Sequence, residues 1–119
     1  AFFAPLDREI AAWADVAWMH LHAGQVHLVD AVLEIEEIRA IQIVNDGVAS
    51  PPLSRMLPAM RRVQQRGRCL ILRKYSAGEL ESMLPHLSPK GLVLDVYFTS
   101  IDAARRWLQV VGEWPFASA

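Results

Sequence analysis

The sequence predicts an α/β fold of parallel strands: four strand–helix (βα) units following a leading helix. Three observations carry this expectation. Aliphatic and β-branched runs begin near residues 18, 40, 69 and 91, and their starts lie roughly 22–29 residues apart, the length of one βα repeat. Between the runs, apolar residues recur with the period of a helix. The two middle runs, "AIQIV" and "CLIL", are almost wholly apolar, as parallel strands are when helices cover them.

The elements follow in order. Asp7 to about Trp18 reads as a helix, because Ile10, Trp13, Ala14 and Ala17 fall at i, i+3, i+4 and i+7, with Asp7 as N-cap or first-turn acid after Pro5. "VAWMHLH" (residues 16–22) is the first strand, closed by Ala23-Gly24, and Val26 to Glu34 is helical in period. Ala40–Asn45 is a β-branched run ended by the turn signal Asn45-Asp46-Gly47. A helix from Leu53 to about Arg66 stops at Gly67; Pro58 inside it requires a first-turn position or a kink. Arg68–Lys74 is the third strand. Ser76 caps the next helix, with Glu79 at capping-box spacing, and that helix runs to about His86. Gly91–Phe98 is the fourth strand. Thr99 or Ser100 then caps a final helix from Ile101 to about Trp114, with Pro115 just beyond.

At 119 residues the chain is a single domain, 1–119. Two architectures accommodate four βα units: a small doubly wound sheet, or half of a (β/α)8 TIM barrel, which in full needs about 250 residues. A half-barrel is open, with unpaired edge strands and uncovered inner side chains. Its complement must then come from the same full-length chain or from a second copy, so a homo-oligomer or a missing N-terminal half is expected. Phe2 and Phe3 at the very start suggest a piece cut from a longer chain.

A formal net charge of -1 gives no electrostatic case for nucleic acid or an anionic membrane as partner. No apolar run approaches the roughly 18 residues that span a bilayer, and "AFFAPL" lacks the layout of a signal peptide. A single cysteine, Cys69, cannot form an internal disulfide, which fits a cytoplasmic location.

Ligands bind at the carboxyl ends of strands in either architecture. The polar residues there are His20, His22, Asn45, Asp46, Lys74, Tyr75, Asp95 and Tyr97. His20 and His22 share strand parity, so both imidazoles point to one side, and two such nitrogens can bind one zinc ion. A catalytic zinc needs a third protein ligand. Cys69 opens its strand and belongs at the opposite end, His86 lies on a surface helix, and His27 lies on the helix after Gly24. Asp46 and Asp95 remain as candidates, and a metal-free polar pocket is the competing reading of the pair.

Other features have structural explanations. Arg55, Arg61, Arg62, Arg66 and Arg68 read as a solvated helical face that compensates a helix dipole. Trp13, Trp18, Trp107 and Trp114 read as packing residues on helices or helix ends, and Met56, Met60 and Met83 as core. No glycine-rich phosphate fingerprint, GxSxG elbow or CxxC occurs.

The ordered segments "HLHAG", "EIEEIRAIQIV", "LPAMRRVQQRGRCLIL", "SPKGLVLDV" and "SIDAARRWLQVV" together resemble the C-terminal half of the uroporphyrinogen decarboxylase-like superfamily. That superfamily includes decarboxylases and cobalamin-dependent methyltransferases. The resemblance implies half of an eight-stranded α/β barrel. It further implies methyl transfer from a corrinoid, carried by a partner protein, to a thiol activated by zinc. In the methyltransferase branch a His-x-Cys pair and a later cysteine bind the metal. Here His20 matches the histidine, His22 stands at the first cysteine, and the later cysteine has no counterpart. Asn45, Asp46 and Tyr97 are the expected substrate contacts. The decarboxylase's substrate-binding Arg and Asp belong to the other half, so decarboxylation by this chain alone is not expected. Two alternatives stand beside this reading: a metal-dependent barrel hydrolase, and a non-catalytic module for binding or self-association.

Overall fold

The computed structural model describes residues 4–114; Phe2, Phe3 and Pro115 lie outside them. The elements are α1 (Ala4–Ala11), β1 (Ala17–His22), a 3-10 segment (Ala23–Leu28) leading into α2 (Val29–Leu33), and β2 (Ile38–Val44). After a 3-10 turn (Gly47–Ala49) come α3 (Leu53–Gln65), β3 (Cys69–Arg73), α4 (Ala77–Met83) with a further 3-10 turn (Leu84–His86), β4 (Leu92–Asp95) and α5 (Ile101–Gly112).

The four strands form one sheet in the order β1-β2-β3-β4, and every neighbouring pair is parallel. This order separates the two architectures. A doubly wound sheet reverses direction at a switch point, whereas a barrel adds each strand beside the last, as here. The observed sheet has the topology of half a barrel.

Side chains alternate between its two faces. Leu21, Ile41, Ile43, Leu70 and Leu72 join Met56, Met60, Val63, Leu80, Met83 and Trp107 in one apolar core on the helix side. The opposite face carries Trp18, His20 and His22 on β1, Ala40, Gln42 and Val44 on β2, Cys69, Ile71 and Arg73 on β3, and Val93 and Asp95 on β4. None of its apolar residues belongs to the core cluster. Trp18 and Val93 remain 56% and 50% exposed. This open face is the one that would line a closed barrel.

Local chemistry explains where the elements stop. α3 ends in a Schellman turn: Gly67 (φ 72) donates to the Gln64 carbonyl and Arg68 to that of Val63. Of the two placements expected for Pro58, the first turn is not the one found: it lies in the second turn of α3, on the exposed side. There water can hydrate the carbonyl that proline's missing N–H leaves free. Ser76 caps α4 by accepting from the Glu79 N–H at 3.1 Å, and Ser100 caps α5 by accepting from Ala103 N–H at 3.2 Å. Only half of the expected capping box forms at α4, because the Glu79 carboxylate accepts from Asn45 instead, at 2.9 Å.

Several boundaries depart from the sequence expectation, among them the start of β2 at Ile38 and the end of α4 at Met83. The helical stripe predicted over residues 7–18 ends at Ala11, because it has little to pack against. Ile10 and Trp13 are exposed, and Ala11 is the single buried residue of α1. Asp7 is therefore a first-turn acid and not a cap. Trp18 lies on the open face of β1 and Trp13 is exposed, so only Trp107, with Trp114 packed at its edge, serves the core. The segment predicted as a helix from Val26 is 3-10 up to Leu28, where a short α-helix takes over. The last strand closes at Asp95, which leaves Tyr97 beyond the sheet.

Candidate functional site

The carboxyl end of β1 sets the site. His20 and His22 are two residues apart on the open face, and in register they sit beside Gln42 and Val44 of β2. His20 Nδ1 lies 2.5 Å from Gln42 Oε1, His22 Nδ1 lies 2.6 Å from Asp46 Oδ1, and the two Nε2 atoms are 3.4 Å apart. The rings meet edge to face at 81°. Both imidazoles are thus tethered at Nδ1, with their Nε2 atoms convergent.

The loop after β2 holds Asp46 in place. Asn45 N–H extends the ladder to the Arg73 carbonyl at 3.0 Å. Its side-chain oxygen accepts from Gly47 N–H at 3.1 Å and from the Ser50 hydroxyl at 2.7 Å. Its amide donates to the Lys74 carbonyl and to Glu79. Asp46 N–H donates to Ser50 Oγ at 2.8 Å, and Gly47 supplies the positive φ of 63° that the turn needs. On the β1 side, His22 N–H donates to Gln25 Oε1 at 3.0 Å and Gly24 N–H donates to Asp46 Oδ2 at 3.1 Å.

The hydrogen bond from His22, and after it the Gly24 N–H, hold the Asp46 carboxyl below the usual carboxylate range. Its folded value is depressed, so its contribution to stability is complete above the unfolded value of about 3.9 and disappears as pH falls through the lower folded value. An ionised carboxylate only accepts, so His22 Nδ1 carries a proton, and in the neutral imidazole His22 Nε2 presents a lone pair. With Gln42 oriented oxygen-first, His20 is in the same state. Two lone pairs then face each other at 3.4 Å, an arrangement relieved by a proton or a metal cation between them. With the Gln42 amide turned, its NH2 donates to His20 Nδ1 and His20 Nε2–H donates to His22. Metal-free protein can satisfy the pair in that way.

The spacing suits a shared ion. Two nitrogens each about 2.0–2.1 Å from one tetrahedral zinc stand about 3.3–3.4 Å apart, and the anchored Nδ1 atoms supply the supporting hydrogen bonds that metal-bound histidines usually have. A third ligand is not in place. Among the described residues no group of three His, Cys, Asp or Glu side chains is arranged to hold a metal. Asp46 faces the Nδ1 side of His22, and Asp95 pairs with Arg73 at 3.0 Å. Both therefore fall short of the ligand role considered for them.

The expected substrate contacts divide. Asn45 spends its side-chain polar atoms on Gly47, Ser50, Lys74 and Glu79, and Asp46 spends its carboxylate on His22 and Gly24. Tyr97 is 65% exposed, and its hydroxyl accepts from Arg73 at 3.4 Å. Arg73 shares the row of His22, Val44 and Asp95 across the sheet, and so lies on the same open face as the histidines. Arg73 and Gln42 were not singled out by sequence reasoning, and Glu79 only as a capping-box acid. Below the loop, Tyr75 is buried and its hydroxyl has no partner among the described residues. Burial first, then the charges of Glu79 and Asp46, push its phenol above the ordinary range. Tyr75→Phe should therefore raise stability by about 1 kcal/mol in chemical denaturation, because it removes an unsatisfied buried hydroxyl. A loss of that size would show that the hydroxyl has a partner.

No protein-family model, curated protein or solved structure matches this chain. No helix among the described residues is long and apolar enough to cross a membrane.

Proposed function

We propose that this chain forms the C-terminal half of a uroporphyrinogen decarboxylase-like (β/α)8 enzyme of the corrinoid-dependent methyltransferase type, with His20 and His22 as two ligands of a zinc ion at the barrel mouth. The observation that carries the proposal is the pair of Nε2 atoms 3.4 Å apart, with each imidazole tethered at Nδ1. A zinc ion held there supplies Lewis acidity that lowers the pKa of an acceptor thiol, so that the thiolate is available to attack a methyl group.

The chain's own residues have definite tasks in this reading. Asp46 fixes the tautomer and the plane of the His22 ring, and Gln42 does the same for His20. Asn45 and Ser50 hold the Asp46 loop closed. Arg73 and Tyr97 meet the substrate on the open face, where a guanidinium suits a carboxylate. The resemblance, and not the geometry, names a corrinoid on a partner protein as methyl donor. Four further βα units, from an N-terminal half or a second copy, complete the barrel and bring the third ligand. The lone Cys69 supports a cytoplasmic setting.

The test is metal content. Protein assembled with the complementary half and purified after zinc supplementation should carry one zinc per His20–His22 pair, and a competing chelator dye should then report its affinity. Asp46→Asn should weaken that affinity by about 10–100-fold, as loss of a supporting hydrogen-bond partner does. Absence of stoichiometric zinc in the wild-type protein overturns the proposal.

A further inference from the structure

A second cleft lies at the other end of the sheet, where β3 and β4 begin. It encloses about 540 Å³, within the size range of small-molecule sites. Arg61, Arg68, His86 and Lys90 line it together with Gln64 and Cys69, and no carboxylate does. In a chain whose net charge is -1, so one-signed a lining is unexpected. Four arginines elsewhere are matched by acids, Arg8 with Glu37, Arg62 with Asp30, Arg66 with Glu34 and Arg73 with Asp95, whereas Arg39, Arg55, Arg105 and Arg106 have no such pair among the described residues. Among the described residues, Arg61, Arg68 and Lys90 have no such partner.

The walls are held in place. Gln64 near the end of α3 donates to the Ser88 carbonyl at 2.7 Å and accepts from Ser88 N–H at 2.9 Å. This double bond between side chain and backbone ties α3 to the loop that carries Lys90. Arg68 donates from Nη1 to the Arg66 carbonyl at 3.1 Å, which orients its guanidinium. Its Nε is buried and has no hydrogen-bond partner among the described residues. A buried donor on a cation, unpaired in a cleft of like charges, lacks an anionic acceptor.

We propose that this cleft binds a small phosphoanion with two or more negative charges, of the pyrophosphate class. Arginine and lysine together favour phosphate oxygens, arginine through its planar fork and lysine as a point charge. Barrel enzymes do their chemistry at the opposite, carboxyl end of the strands. The cleft is therefore a binding site separate from His20 and His22, and it does not depend on the zinc proposal.

Pyrophosphate is the probe, titrated by calorimetry into the full chain, with a parallel thermal melt. Saturable binding at sub-millimolar concentration and a rise in melting temperature are expected. Lys90→Gln, a change at an exposed residue, should weaken binding tenfold or more, and Arg68→Gln likewise. Arg68→Lys, which keeps the charge and controls for misfolding, should retain part of the affinity. His20→Ala should leave it unchanged. Citrate should bind at least tenfold more weakly. Equal binding of citrate would overturn the phosphate assignment. Failure to saturate below about 10 mM pyrophosphate, or full binding by Lys90→Gln, would overturn the site itself.

Discussion

His22→Ala should abolish zinc binding, with a loss larger than the roughly 10–100-fold caused by removing a supporting group. The substitution acts twice. It removes one of the two convergent Nε2 atoms, and it deprives Asp46 of the hydrogen bond that does most to lower its pKa. His20→Ala removes a ligand and the hydrogen-bond partner of the buried Gln42 side chain, and leaves the Asp46 contact intact. The two variants should therefore share the loss of metal and differ in stability above the unfolded carboxylate value of about 3.9, where His22→Ala lacks the carboxylate's contribution, and converge as pH falls below it. His22 is exposed, so its removal opens no cavity and the far-UV spectrum should be unchanged. Competition titration against a chelating dye, on both single variants and the double variant, is the decisive measurement. Two ligands of one ion are lost together, so on the zinc proposal the double variant should be hardly worse than either single one. Retention of wild-type affinity by His22→Ala would falsify the ligand assignment.

Much of this arrangement was legible in the sequence, and the parts that were not have physical reasons. Strand positions follow from β-branched runs, and the parity of His20 and His22 follows from the two-residue repeat of a strand. Gln42 offered a signal as well: it is the one polar residue inside "AIQIV" and it is buried. Its role depends on register with His20, however, which is a property of the β1–β2 pairing and not of either segment alone. Asp46 was expected near the histidines, but as a ligand or substrate contact. Which side of the ring it meets depends on the Asn45–Ser50 turn, closed by bonds among Asn45, Asp46, Gly47 and Ser50 that no short motif specifies. Arg73 hides in the same way, as the final residue of a strand read mainly for its apolar members. α1 failed for the opposite reason. Its spacing was helical through Ala17, yet periodicity cannot say whether a surface exists for the stripe to cover.

The largest stability effect is expected at Ile43, and it discriminates between the two faces of the sheet. Ile43 is fully buried on the inner strand β2, in register with Leu21 of β1 and Leu72 of β3. Flanking strands fix its backbone on both sides, so the space left by Ile43→Ala cannot close by a local shift. A loss of about 2–5 kcal/mol is expected, against a total stability of about 5–15 kcal/mol for a domain. In thermal melts each 1 kcal/mol moves the midpoint by roughly 4–8 °C for a domain of about 100 residues. Trp18 provides the contrast. It is larger than Ile43, but it stands half exposed on the open face and outside the core cluster. In the half-barrel alone Trp18→Ala should change stability by no more than about 0.5–1 kcal/mol, as surface substitutions do. When a complementary half covers that face, the indole becomes interior, and truncating it should cost as much as a core substitution, about 3–5 kcal/mol. The pair of variants, melted across a range of protein concentrations, thus reads the state of the open face. A small Trp18→Ala effect that grows with concentration assigns the cover to a second copy. A small effect at every concentration shows that no second copy covers the open face.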